Sequence, residues 1–284
     1  MIPLPTFDET PIAALRNIDF SYDDGTVALQ GVTLDIWRGE HIALVGGNGS
    51  GKTTLAKHLN GLLRPSRGRV LVKGKDTAKQ SVAALSRTVG YAFQNPDHQL
   101  FCPTVAEEVL FGPKNLGFAE AEAVEKAGRA LKMLSIDHLK DKAPLSLSLG
   151  DRRRVSVASV IAMDPEVLVL DEPSTGLDAR EAAELMRALD GLNKDGKTVI
   201  LITHEMRLVA EHSERVVVMA HGQVSLDCRT RVAFSEPETL RQSGVIPPVA
   251  VQLAQRLLEF DVSPEVLTVD ELAEEVARVR GART

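Results

Sequence analysis

Eight consecutive residues, Gly46-Gly47-Asn48-Gly49-Ser50-Gly51-Lys52-Thr53, fit the spacing G-x-x-x-x-G-K-[ST], with an apolar run before them and a helical pattern after. Glycines at these positions let backbone N–H groups turn inward around a phosphate, and the following helix presents its positive N-terminus to the same anion. Lys52 then reaches the β- and γ-phosphates, and the Thr53 hydroxyl ligates Mg²⁺. A second run, Val167-Leu168-Val169-Leu170-Asp171-Glu172, is an apolar strand tipped by two carboxylates. Ligands of parallel α/β sheets sit at the carboxyl ends of strands. Asp171 is therefore the natural partner of the cation. Glu172 can orient and deprotonate an attacking water, the step a phosphoryl-transfer site must supply besides charge neutralisation. Gln94 and His204 each follow a strand-like run, Thr88 to Phe93 and Thr198 to Thr203. Spacing alone brings neither to the γ-phosphate, and for His204 by itself a satisfied surface histidine is the better reading.

Such groups need a scaffold that brings several strand ends together. Leu15 to Phe20, Val27 to Ile36 and His41 to Val45 read as strands, the first two joined by a turn at Asp23-Asp24-Gly25 into an antiparallel element. A helix runs from the glycine-rich loop to about Leu62. The section from Ser81 to Leu139 reads as a mostly helical insertion. Within it Thr104 to Glu107 forms a capping box, starting a short helix that is expected to stop at Gly112-Pro113. Another helix spans Gly150 to about Met163. Val167 to Leu170 and Thr198 to Ile202 are uninterrupted apolar strands, buried on both faces. This alternation predicts an α/β fold with a largely parallel sheet. Beyond about Leu226 lysines cease, and prolines stand at 237, 247, 248 and 264. Two helices follow there: one carries an apolar stripe of Val249, Leu253 and Leu257; the other, capped at Thr268 to Glu271, carries Leu272, Val276 and Val279. This tail of about 60 residues is of marginal size for a unit stable alone and is expected to pack on the main domain or on a second copy.

Composition narrows the classes further. Of 284 residues, 44% are hydrophobic and 25% charged, which excludes disordered, collagen-like and low-complexity chains. Thirty-three Lys+Arg against 39 Asp+Glu give a net charge of −6 and no global reason to bind nucleic acid or anionic lipid. Arg152 to Arg154 form a short basic run, read as a solvated face at a helix start. Cys102 and Cys228 are the two cysteines, so no disulfide framework or zinc site is implied. Apolar stretches such as Val216 to Ala220 fall far short of the ~20 residues that span a bilayer. Met1 to Pro5 lacks the basic and apolar regions of a signal peptide, and cytoplasmic residence is the expectation.

Taken in order, these motifs closely resemble the nucleotide-binding subunit of ATP-binding cassette (ABC) proteins over about residues 12 to 226. Leu147-Ser148-Leu149-Gly150-Asp151 occupies the signature position, usually Leu-Ser-Gly-Gly-Gln, and Pro173 to Asp178 looks like the D-loop. The resemblance implies a P-loop NTPase fold for residues 1–226: a RecA-like core, an antiparallel β element and a helical subdomain at about 95–160. Residues 227–284 would form a small α-helical C-terminal domain. It implies ATP and Mg²⁺ as cofactors, with Glu172 and His204 catalytic and Thr53, Gln94 and Asp171 serving the metal. Tyr22 would stack on adenine. Gly46, Gly47, Asn48, Gly49, Ser50, Gly51, Lys52, Thr53, Thr54, Gln94 and, from the D-loop, Asp178 would bind the nucleotide, while Ser148 and Gly150 of the signature would close on the ATP of a second subunit. Leu149 and Asp151 depart from the signature.

The run Gln94-Asn95-Pro96-Asp97-His98-Gln99-Leu100-Phe101, with Pro103-Thr104-Val105 and Phe111-Gly112-Pro113, is similar to the ATPases of energy-coupling factor (ECF) transporters, importers of vitamins and of cobalt or nickel ions. Ile246-Pro247-Pro248 and the Leu267 to Glu271 helix start resemble their C-terminal extension. The implied partners are a second ATPase subunit, identical or different, and a membrane T component docking at Gln94–Pro113, with a substrate-binding S component reached indirectly. No nucleic acid is implied. Asp97, Glu107 and Glu108 are the candidate acceptors for basic coupling helices, and the implied location is peripheral, on the cytoplasmic face of the cell membrane. The rivals are an ABC ATPase of another transporter type, a soluble ABC ATPase of DNA repair or translation, and a nucleotide-gated regulatory protein.

Overall fold

The computed structural model describes residues 10–235 and 237–281; the Met1 to Pro5 segment read above lies outside them. Among the described residues, ten strands form two sheets. The first carries β1 (Ala13–Ser21) and β2 (Val27–Ile36), together with β4 (Arg67–Val72) and β5 (Lys75–Asp76), all antiparallel in the order β2-β1-β4-β5. The second holds β3 (His41–Gly46), β6 (Val89–Ala92), β7 (Val167–Asp171), β8 (Thr198–Ile202), β9 (Arg215–Ala220) and β10 (Gln223–Arg229), ordered β10-β9-β3-β8-β7-β6. Five of its strands are parallel and only β10 runs against its neighbour. Both the antiparallel element and the largely parallel sheet match the sequence reading.

The helices are α1 (Lys52–Leu59), α2 (Val82–Leu85), α3 (Val105–Asn115), α4 (Glu120–Met133), α5 (Leu149–Ala162), α6 (Ala179–Lys194), α7 (Met206–His212), α8 (Thr230–Ser235), α9 (Pro237–Gln242), α10 (Val249–Arg256) and α11 (Val269–Gly281). None is long and apolar enough to cross a membrane among the described residues. The unbroken apolar runs of β7 and β8 have a simple cause. Val167, Val169, Ile200 and Ile202 face a core shared with Leu15, Ile36 and, from α1, Leu55 and Leu59. Leu168, Leu170, Val199 and Leu201 face a second core, shared with Val157 of α5 and Leu185 and Leu189 of α6. Each such side chain, taken fully out of water, contributes roughly 1.5–3 kcal/mol. The sheet is thereby held rigid, and parallel registry puts Gly46, Asp171 and the residues after β6 and β8 along one edge.

Three expectations need correction. Helix α3 does not stop at Gly112-Pro113 but runs on to Asn115, and the Leu116 N–H closes on the Gly112 carbonyl at 3.0 Å. Proline at 113 forfeits one intrahelical hydrogen bond, while its ring is buried and Gly112 lies tight against α5, where a Cβ would stand 2.5 Å from Met163 Cγ. The stripe expected on α10 is reversed: Val249 and Leu253 are exposed, and Ala250, Val251 and Ala254 are buried. Arg152 to Arg154 are not a solvated face, for Arg153 and Arg154 are buried in α5. The tail packs on the main domain: Phe234 of α8, Leu240 of α9 and Val251 share a core with Ala43, Val45, Val216 and Val218 of β3 and β9. Strand β10 crosses the 226/227 position at which composition changes.

Candidate functional site

The glycine-rich loop leaves β3 and enters α1 through backbone shapes only glycine adopts comfortably. Gly46 has φ 146°, and a Cβ there would lie 2.1 Å from the Met219 carbonyl oxygen of β9. Gly51, the residue preceding α1, has φ 102°, and a Cβ would meet the Ala28 carbonyl oxygen at 2.7 Å. The loop is thus wedged between β9 and β2, with Asn48 and Gly49 exposed at its tip and Ser50 buried. Lys52 curls back over it, its Nζ donating to the carbonyls of Gly46 and Gly47 at 2.9 Å each. Burial pushes the Lys52 ammonium below its ordinary pKa, with Glu172 and Asp171 opposing that shift. Tyr22 bonds through its hydroxyl to Thr54 Oγ1 at 2.8 Å and stands edge-on to Phe20, leaving the ring partly exposed beside the loop.

At the end of β7 the Thr53 hydroxyl donates to Asp171 Oδ2 at 2.9 Å. Its hydrogen spent there, Thr53 Oγ1 keeps its lone pairs for a cation. A hydroxyl and a carboxylate are the hard oxygen donors Mg²⁺ accepts, its other positions going to phosphate and water oxygens; these residues fit the ion. Glu172 stands one residue on, in the left-handed region at φ 50°, a strained conformation that persists only where surroundings over-determine it. Here its N–H donates to the Ile202 carbonyl at 2.8 Å. Its carboxylate accepts from His204 Nδ1 at 2.9 Å; a carboxylate offers only lone pairs, so Nδ1 carries the hydrogen. The two residues expected to be catalytic are therefore in contact; His204 is a surface histidine, its side chain 72% exposed, with its Nδ1 held by Glu172. Gln94 lies exposed two residues past β6 and makes no hydrogen bond to these groups among the described residues.

Ser148, Gly150 and Asp178 form a second cluster. Ser148 caps α5, accepting from Asp151 N at 3.1 Å and donating to Asp151 Oδ2 at 2.8 Å. Arg154 bridges Asp151 Oδ1 at 2.6 Å and Glu181 Oε1 at 2.9 Å, and Glu181 closes a reciprocal capping box with Asp178 at the start of α6. Gly150 fits beneath the loop that carries Gly176, where a Cβ would be 2.9 Å from the Gly176 carbonyl oxygen. No hydrogen bond joins Ser148, Gly150 or Asp178 to residues 46–54 among the described residues, and Ser148 and Asp178 face solvent. Sequence reasoning missed Arg153 and Arg154 as ties: Arg153 donates to the Phe93 carbonyl at 2.8 Å, and Arg152 pairs with Asp97 at 2.9 Å. Asp97 is exposed while so paired, whereas Glu108 is not an exposed acceptor. It is buried, and its carboxylate accepts from the N–H groups of Phe101 and Cys102. Glu107 remains exposed.

Comparison with known proteins agrees with this geometry. The ABC transporter family model matches residues 29–175. An ABC transporter ATP-binding protein of Caldanaerobacter subterraneus is 46% identical over 254 residues, 89% of this chain but 45% of that protein. The chain thus spans less than half the length of that relative. The energy-coupling factor transporter ATP-binding protein EcfA of Methanocaldococcus jannaschii is 41% identical over 255 residues, covering 89% of this chain and 91% of its own. Among solved structures, CbiO1 of Clostridium perfringens, part of the ABC transporter complex CbiONQ, superposes with a TM-score of 0.73 at 38% identity, covering 88% of this chain and all of that one. The phosphate loop, the strand-end carboxylates and the relatives point the same way: the chain belongs to the ABC transporter ATP-binding family and stands there beside the energy-coupling factor ATPases.

Proposed function

We propose that this protein binds ATP with Mg²⁺ and hydrolyses it as one of two nucleotide-binding subunits of an ECF-type importer of a vitamin or transition-metal ion. The observation that carries the reading is the convergence, on one sheet edge, of Lys52, the Thr53–Asp171 pair and the Glu172–His204 pair. Mg²⁺, when bound by Thr53 and Asp171 with Gln94 as a further candidate, supplies charge neutralisation at the β- and γ-phosphates. The chain's own groups do the rest. Lys52 and the loop amides hold the triphosphate. The Glu172 carboxylate takes the proton of the attacking water, and His204 holds that carboxylate in place, so the rate comes from positioning and charge. Ser148, Gly150 and Asp178 complete the site of a second subunit. Supporting this, they are tied to one another and not to the chain's own loop.

The docking surface for a membrane component is Gln94–Pro113. Phe101 and Phe111 stand edge to face there, 4.8 Å between centroids and largely exposed. This reading places the protein peripherally on the cytoplasmic face of the membrane. Its test is to tag the chain in its own cells, solubilise the membranes in mild detergent, and identify the co-purifying proteins while measuring Mg²⁺-dependent phosphate release. Recovery of a polytopic membrane protein with an active ATPase is expected. Recovery of soluble proteins or nucleic acid alone from intact complexes would leave the ATPase chemistry standing and remove the transport assignment.

A further inference from the structure

Tyr91 has no part in the chemistry described so far. Strand β6 pairs in parallel with β7, and Tyr91 lies opposite Val169. Side chains two apart on a strand share a face, so Tyr91 and Asp171 are diagonal neighbours on that face. The Tyr91 hydroxyl donates to Asp171 Oδ2 at 2.9 Å, the same oxygen that accepts from Thr53. The phenol is 7% exposed and its ring is tilted against Phe93 with centroids 5.1 Å apart. Packing therefore sets the direction of the hydroxyl.

We infer that Tyr91 is a positioning residue for the nucleotide's Mg²⁺: with Thr53 it pins Asp171 by Oδ2 and leaves Oδ1 to the cation or to a water bound to it. The inference rests on the assignment of Thr53 and Asp171 to Mg²⁺. Hydrogen bonds that orient a ligating carboxylate typically change metal affinity by about 10–100-fold when removed. Strand β6 also leads through Phe93 to Gln94, so the residue that orients one candidate ligand sits on the segment that delivers another.

Equilibrium binding of a fluorescent ATP analogue to the full chain tests this. Wild type and Tyr91→Phe are titrated with nucleotide in EDTA and again across a range of free Mg²⁺ concentrations. Tyr91→Phe keeps the ring and its packing, so affinity in EDTA should stay within about twofold. The Mg²⁺ concentration giving half of the cation's effect should rise about tenfold. A merely structural role would move the EDTA affinity instead. Identical Mg²⁺ curves for the two proteins would overturn the role of Tyr91 alone. A wild type whose nucleotide affinity ignores Mg²⁺ would overturn the cation assignment, and with it the role given to Tyr91.

Discussion

Replacing Glu172 by glutamine exchanges one carboxylate oxygen for an amide NH₂ in a side chain fixed on several sides. Its backbone is held at φ 50° by the hydrogen bond from its N–H to Ile202, while its carbonyl accepts from Thr175 N at 3.3 Å. The side chain is 11% exposed, and the hydrogen from His204 Nδ1 can go to the amide oxygen as it does to Oε2. Glutamine therefore preserves the shape and loses one capacity, acceptance of a proton from water. Removing a positioned general base costs about 10²–10⁴ in rate, equivalent to about 3–5 kcal/mol of barrier. Binding should behave differently. The triphosphate is to be held by the loop and Lys52, which the change does not touch, and deleting a negative charge near Lys52 favours an anionic ligand. The expectation for Glu172→Gln is turnover reduced at least a hundredfold with ATP affinity equal to or tighter than wild type. Steady-state phosphate release, equilibrium nucleotide binding and a thermal midpoint decide it together. Turnover within tenfold of wild type would remove Glu172 from the base role, and loss of binding alongside turnover would refute the geometric argument that glutamine fits.

His41 opens β3 with 2% exposure, facing Asp190 and near His212, and burial pushes its imidazole down to about 4, Asp190 opposing and His212 assisting. Because the folded protein disfavours the charged form, stability is complete above the ordinary value of 6.5 and is lost as pH falls toward 4. The loss is about 3 kcal/mol, to be read from urea unfolding at pH 7.5 and pH 4; His41→Met should flatten that dependence, and an equally steep one would show that other groups cause it. Arg154→Met leaves Asp151 and Glu181 without their shared guanidinium, and should cost about 2 kcal/mol by denaturant unfolding, since hydrogen bonds to charged groups contribute about 1.5–3 kcal/mol; a loss below about 0.5 kcal/mol would show the bridge to be screened by solvent. Gly46→Ala forces a Cβ to 2.1 Å from a β9 carbonyl oxygen; it should lower stability by more than about 1 kcal/mol and ATP affinity more than tenfold, and unchanged binding would mean that the loop tolerates the shift.

What could be read from sequence was local. The spacing of glycines around Lys52, the apolar runs of β7 and β8 and the carboxylates after them are set by neighbours along the chain, and they came out where expected. The misses share a different cause. Strand β4 begins Arg67-Gly68-Arg69 and has no apolar alternation there; it is a strand because β1 pairs with it. Glu108 looked like a surface acid, but its partners are amides six and seven residues back on a loop that bends over α3. On α10 the sequence offers two faces of similar apolarity, and the smaller side chains, Ala250 and Ala254, allow the closer approach. Long-range partners and the room available at a contact are three-dimensional quantities, absent from periodicity.

The altered signature shows how such a partner changes the meaning of a residue. An aspartate at 151 would be an unscreened negative charge beside the Ser148 hydroxyl, proposed above to meet a phosphate, if it stood alone, and would count against a working site. In the fold it accepts from Ser148, and Arg154, itself 9% exposed, neutralises it while gripping Glu181. Glu181 in turn fixes Asp178 through the capping box. A glutamine at 151 could still bond Ser148 but would offer Arg154 no charge, so the aspartate turns two segments proposed to face a second subunit into one braced unit. The consequence for this chain is specific: Asp151→Gln should loosen the Ser148–Asp178 brace and lower stability by less than Arg154→Met does, because Glu181 still holds the guanidinium. The reverse order in denaturant unfolding would show that Asp151 acts on its own rather than through Arg154.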